Sequence, residues 1–125
     1  MAFTTTVDQA ILDWLLTEYT TLYAGYSTAD PGKAGAGLAE PAGETGYARV
    51  DVSSGMTRTD STIDNDAEIT FPEATGSQGT ITYACLFDAD SGGNLLWSAA
   101  LSASKAVTTG DTPRFPAGDF NVTMS

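Results

Sequence analysis

The sequence has no histidine, one cysteine and only five basic residues, and each shortage argues against a class of protein. Without histidine the chain lacks the commonest general base and the commonest metal ligand. A single cysteine permits neither an internal disulfide nor a thiolate zinc site. Five Lys and Arg against sixteen Asp and Glu give a net charge of −11. That charge disfavours direct binding to nucleic acid and to anionic membranes.

Long apolar runs and catalytic motifs are also absent. No stretch reaches the roughly 18 apolar residues of a transmembrane helix. The segment Met1–Thr6 lacks the basic start and apolar stretch of a signal peptide, so we expect synthesis in the cytoplasm without secretion. The sequence contains no glycine-rich phosphate loop, no G-x-S-x-G elbow and no HExxH motif. We therefore expect that the protein is not an enzyme and that it has no catalytic, cofactor-binding or metal site.

Carboxylates are the remaining candidates for acid–base chemistry or cation binding. Four of them cluster before a predicted strand: Asp60, Asp64, Asp66 and Glu68. Their near-even spacing is typical of a solvated face. The segment Asp88–Asn94 superficially resembles a calcium loop, but Gly92 stands where a ligand belongs and no glutamate closes the site. We interpret it as a hairpin turn, with an incidental cation as the alternative.

The lone cysteine, Cys85, lies inside a strand pattern. Thiols become reactive beside cations, and this stretch of sequence has none. We predict a small, buried and unreactive side chain.

The last third of the chain carries the strongest structural signal, a period-two alternation of apolar and polar residues. Such alternation is typical of strands with one buried face, because successive side chains point to opposite sides of a sheet. Strands are predicted at 20–27, 47–52, 67–71, 80–87, 95–101, 105–108, 112–115 and 119–124, with 56–59 as a further candidate in a polar stretch. With turn signals about every 8–12 residues, the prediction is one domain over residues 1–125: an all-β, antiparallel β-sandwich of jelly-roll type, with about eight strands.

The strand pattern also predicts the core. Two same-face rows stand out, one at Ile81, Tyr83, Cys85 and Phe87 and the other at Phe120, Val122 and Met124. From the strongest strands we expect six substantially buried residues: Leu22, Val50, Ile81, Phe87, Trp97 and Phe120.

A short N-terminal helix is predicted at about 7–16, with Thr6 as its N-cap and Gln9 at capping-box spacing. Its apolar residues recur at the spacing of one helical face: Val7, Ala10, Ile11, Trp14 and Leu15. Leu12 and Leu16 widen this stripe beyond what one contact requires. So short a helix is marginal alone and must dock, either on its own sheet or on a neighbouring subunit. Residues 32–46 form a long Gly-rich segment without periodicity, which suggests partner contact or mobility.

Sequence blocks between about Val7 and Met124 resemble a family of small bacteriophage virion proteins. The blocks are Leu22-Tyr-Ala-Gly-Tyr, Gly46-Tyr-Ala-Arg-Val, Ile69-Thr-Phe-Pro-Glu-Ala-Thr, Gly79-Thr-Ile-Thr-Tyr, Leu86-Phe-Asp-Ala, Gly92-Gly-Asn-Leu-Leu-Trp-Ser-Ala-Ala-Leu and Gly110-Asp-Thr-Pro-Arg-Phe-Pro-Ala-Gly. Members of that family are labelled tail-fibre proteins, and proteins of this kind also decorate capsids. The resemblance implies no catalytic residues and a location in the virion.

Three functions compete under this resemblance. Capsid decoration, in which the protein would act as a cement on the head surface, is the main prediction. It implies the major capsid protein as partner and self-association as a trimer. The alternative is a tail-fibre or baseplate module that binds host surface glycans through aromatics such as Tyr23, Tyr47 or Trp97. A small hydrolase is disfavoured, because no base is available.

Overall fold

The computed structural model describes residues 4–118 and 120–123. They form one α-helix, α1 (Thr5–Glu18), and a short 3-10 helix at Gly43–Thr45. The strands are β1 (Tyr23–Ser27), β2 (Val50–Asp51), β3 (Met56–Thr59), β4 (Thr62–Asn65), β5 (Ile69–Thr70), β6 (Gly79–Phe87), β7 (Leu95–Val107), β8 (Arg114–Phe115) and β9 (Val122–Thr123). The predicted class, a mainly β chain with antiparallel sheets and a short N-terminal helix, is confirmed.

The strands pair into three antiparallel sheets within the described residues. The main sheet has the order β2-β1-β6-β7, and the smaller ones are β3-β4-β9 and β5-β8. Several predicted strands are shorter than expected, because prolines limit them: Pro72 follows β5, and Pro113 and Pro116 flank β8. These pairings do not establish the predicted jelly-roll arrangement.

The two central strands of the main sheet are covered on both faces. Ala24 pairs with Leu86 and Tyr26 with Ala84, and these side chains face the main core. Gly25 pairs with Cys85 on the opposite face, which is also buried. The sequence analysis placed Cys85 and Phe87 in one same-face row with Ile81, and this was wrong, because Ile81 belongs to the main core cluster. Cys85 and Phe87 lie on the second face, where Tyr47 and Arg49 approach Gly25 and Phe87.

Burial otherwise follows the prediction at most positions. Leu22, Ile81, Phe87 and Phe120 are buried. Val50 and Trp97 are only half-buried at the edge of the core, so the prediction overstated their burial. Trp97 packs on Phe120, with ring centroids 5.6 Å apart. Of the predicted strand 119–124, Asp119 and Met124 lie outside the described residues.

The predicted hairpin between residues 80–87 and 95–101 is confirmed, but its second strand is longer and irregular. Residues 105–108, predicted as a separate strand, largely continue β7. Ile81 pairs with Lys105 and Tyr83 with Ala100, so residues 101–104 of β7 oppose a single residue of β6. A second irregularity lies at the other end, where the register shifts around Leu96. β7 is thus a bulged edge strand of the main sheet.

Helix α1 begins earlier and packs differently from the prediction. Its N-cap is Thr4, whose hydroxyl accepts a hydrogen bond from the Val7 amide, and not Thr6. The core-facing stripe runs through Leu12, Leu15, Leu16 and Tyr19, against β3 and β4. Of the two alternatives left open by the sequence, the helix therefore docks on a sheet of its own chain, and mainly through its leucines instead of the predicted stripe.

Candidate interaction surface

A groove of about 430 Å³ opens beside the bulge of β7. Residues 97–107 form one wall and residues 113–116 form the other. Tyr26, Ile81 and Val107, all buried, lie at its base, while the half-buried rings of Trp97 and Phe115 contribute aromatic surface. The bulge makes this space, because residues 101–104 lie outside the ladder with β6. The groove can accept an apolar group of moderate size.

The charge around this groove differs from that of the molecule as a whole. Its described lining includes two exposed cations, Lys105 and Arg114, and no Asp or Glu. Neither cation forms an ion pair with a described residue, whereas Arg49 and Arg58 do. In a chain of net charge −11 the groove is a local basic patch with an apolar floor. Such a patch favours a partner that is both apolar and acidic.

The outer face of α1 is a second apolar surface, and among the described residues it stays largely exposed. Val7 is 39 % exposed and Trp14 is 56 % exposed, and Ala10 between them is exposed as well. These are members of the stripe that the sequence predicted for docking. The leucines of the helix contact the core instead. This outer stripe, defined here as Val7, Ala10, Ile11 and Trp14, lies at the surface, with Ile11 half-buried and the other three exposed.

On the far side of the main sheet, Arg49 holds three chain segments together. Its guanidinium forms a two-pronged ion pair with Glu40, at 2.6 and 2.9 Å. It also donates to the carbonyls of Ala89 and Gly92, at 2.7 and 2.9 Å. The same group lies 3.5 Å from the centroid of the Phe87 ring. This cluster, which we call the Arg49 clamp, fixes residues 40–49 and the turn 88–94 on the sheet.

The Gly-rich segment 32–46 is part of this arrangement. Thr28 donates its amide to the carbonyl of Ala39, and Gly37 donates to that of Pro31. The segment is thus held against its own sheet by hydrogen bonds and by the Arg49 clamp. Contact of this segment with a partner stays a prediction, since these hydrogen bonds engage backbone groups of the chain itself.

The aromatics proposed as sugar platforms have different environments. Tyr47 donates its hydroxyl to Glu40 and packs edge-on to Tyr26, with centroids 4.8 Å apart. Burial, reinforced by the Glu40 carboxylate, raises the pKa of Tyr47 far above its ordinary value. Tyr23 is half-buried at the start of β1. Only Trp97 lines the groove.

The candidate cation loop is a hairpin turn closed by its own side chains. One Asp88 carboxylate oxygen accepts the Asn94 amide at 2.7 Å, and the other accepts its side-chain nitrogen at 2.8 Å. These hydrogen bonds lower the pKa of Asp88. In the described part of the chain, no group of three or more His, Cys, Asp or Glu is placed to hold a metal ion.

The acidic cluster before β5 is mostly solvated. Asp60, Asp66 and Glu68 are exposed, and Asp66 accepts a hydrogen bond from Thr57. Asp64 is half-buried, and one of its carboxylate oxygens has no hydrogen-bond partner among described residues. The cluster does not converge on one point that would support acid–base chemistry.

Cys85 is fully buried, and burial raises the pKa of its thiol to about 12. Because only the thiolate reacts with alkylating agents, we expect no modification of the native protein by iodoacetamide at pH 8. The same protein in urea should be alkylated fully, which mass spectrometry would record. Rapid modification without denaturant would contradict the described burial.

A family model described as Podophage GP4 fiber I protein gp80 matches residues 2–123 of this chain. No curated protein matches the chain. No helix in the described segments is long and apolar enough to cross a membrane.

Proposed function

The chain belongs to the podophage family described as Podophage GP4 fiber I protein gp80, and on this basis we propose that it is a structural subunit of a phage tail fibre. Family membership over nearly the whole chain is the observation that carries the proposal. It supports a structural role in the virion and favours the tail-fibre alternative over capsid decoration. The family description names a fibre, so the predicted head location and contact with the major capsid protein lose their support.

Self-association is part of this proposal, with the trimer predicted from sequence as the expected assembly. Two surfaces support it: the outer stripe of α1 and the basic apolar groove beside β7. We propose no catalytic activity, since the acidic cluster of Asp60, Asp64, Asp66 and Glu68 does not converge on one point and Asp88 is engaged in its own turn.

Binding of host surface glycans is the second candidate function. The observation that favours it is the groove, where Trp97 and Phe115 offer ring faces beside two cations. Aromatic rings stack on sugars, and Lys or Arg would pair with an acidic substituent.

The proposed function can be tested by locating this protein in the phage particle. We expect gold-labelled antibodies against this chain to bind phage tails in electron micrographs, and quantitative mass spectrometry to find few copies relative to the major capsid protein. Particles assembled without the chain should keep the heat resistance of their heads but adsorb poorly to cells. Labelling over the head surface, with copy numbers near those of the capsid protein, would contradict a fibre role and restore capsid decoration.

A further inference from the structure

Two unpartnered surfaces of this chain complement each other in polarity and charge. We propose that the outer stripe of α1 in one copy docks in the β7 groove of a second copy. This contact would join identical chains head to tail. The inference rests on surface chemistry and does not depend on where in the virion the protein resides.

The helix side of this contact is apolar and acidic. Trp14 is the most exposed of its large apolar side chains, at 56 %, and Val7 lies two turns earlier on the same face. Glu18 follows Trp14 by one turn, so a carboxylate extends the same stripe. Across its fourteen residues α1 has three acidic side chains and no Lys or Arg; Asp13 pairs with Arg58 of β3, which leaves Asp8 and Glu18 as the source of negative charge. It therefore presents an aromatic anchor with negative charge beside it.

The groove side is apolar and basic. Its floor and walls are mainly aliphatic and aromatic, with Lys105 and Arg114 at exposed positions. No carboxylate is among the described residues that line it. Copies with a net charge of −11 repel each other, so a contact needs a region where the charges are opposite. The groove and the helix provide such a pair.

The volume of the groove is also compatible with the helix stripe and its Trp14 anchor. A cavity of about 430 Å³ is in the range that accepts a buried anchor group, and tryptophan is one of the residues enriched among such anchors. Laying an amphipathic helix into an apolar groove is a recurrent mode of recognition, with contacts at i, i+3, i+4 and i+7. Val7, Ala10, Ile11 and Trp14 have that spacing.

A helix α1 that docks in the groove must come from another copy. In its own chain α1 packs on β3 and β4, and none of its residues lines the groove. A contact between two different surfaces of identical chains is heterologous, and it closes into a ring or continues as a filament. Both outcomes are compatible with a fibre component, and a ring of three would be the predicted trimer.

An acidic saccharide is the competing occupant. Carbohydrate sites need uncharged polar groups that hydrogen-bond to hydroxyls. The groove offers few, chiefly Ser102 and Asn121 among its described side chains. The predominance of Ala, Pro, Val, Ile and Leu favours an apolar helix face.

The test uses the full-length protein and measures its mass by light scattering across a concentration series. Trp14→Glu should remove the helix side, while Lys105→Glu and Arg114→Glu should each weaken the groove side. We expect each to weaken association at least tenfold. Lys33→Glu changes the charge equally outside this groove and should leave the mass unchanged. If Trp14→Glu fails to fold, as judged by circular dichroism, Val7→Glu takes its place.

A mixture of two variants tests whether the contact is head to tail. Trp14→Glu retains an intact groove, and Arg114→Glu retains an intact helix, so together they should form a one-to-one dimer that grows no further. A monomeric wild type, or groove variants that associate like wild type, would overturn the inference. So would groove variants that associate normally but lose binding to an acidic polysaccharide, which would assign the groove to glycans.

Discussion

Replacing Glu40 by Ala is expected to lower the free energy of unfolding by about 3–5 kcal/mol, because it leaves a buried cation without its partner. The Arg49 side chain is only 6 % exposed, and that of Glu40 is 20 % exposed. The guanidinium would keep its bonds to two carbonyls but lose both bonds to carboxylate oxygens. Tyr47 would lose its acceptor as well.

Urea denaturation followed by tryptophan fluorescence would measure this loss. The chain offers a matched control in its other ion pair, Arg58 with Asp13, whose side chains are 27 % and 56 % exposed. Exposed pairs contribute about 0–1 kcal/mol, so Asp13→Ala should change little. Replacing both members of the buried pair, as Glu40→Leu with Arg49→Met, should cost less than Glu40→Ala alone. Equal losses for Glu40→Ala and Asp13→Ala would mean that the Arg49 clamp is solvated.

Phe87→Ala is expected to destabilise the protein by about 3–5 kcal/mol, the usual cost of emptying a buried aromatic site. The ring is 1 % exposed and lies between the backbone of Gly25 and the Arg49 guanidinium. A Cβ added at Gly25 would come within 2.8 Å of this ring, so the ring packs directly on the Gly25 backbone and its removal would leave a cavity there. Val7→Ala, at an exposed site, is the control and should stay near zero.

The same denaturation experiment compares these two variants. A loss below about 1 kcal/mol for Phe87→Ala would indicate an exposed ring, in contradiction to the structure.

The sequence predicts the strands better than it predicts what covers them. Alternation located β1, β6 and β7, and the turn at Asp88–Asn94 located the hairpin. It did not reveal that Phe87 faces away from the main core. The cover is formed by residues 40–49, and an irregular segment has no periodicity from which its packing could be inferred.

The helix illustrates a second limit. Both Leu12 and Trp14 belong to apolar sets at helical spacing, so α1 has two faces that periodicity alone cannot rank. The leucines pack against the core, and Trp14 is exposed. The groove could not be predicted either, because it depends on residues 101–104 opposing a single residue of β6. Short uncharged side chains in that stretch were the available signal, but they are equally typical of a regular strand.

The irregular course of β7 matters for the solubility of the protein at high concentration. An edge strand of this length, with no charge from Leu95 to Ser104, would otherwise be a template for endless backbone pairing between molecules. The register shifts around Leu96 and at residues 101–104 interrupt its pairing with β6. Bulges of this kind increase the local twist of a strand and disfavour backbone pairing at its free edge, so we expect little amyloid-like growth from β7 even at high concentration.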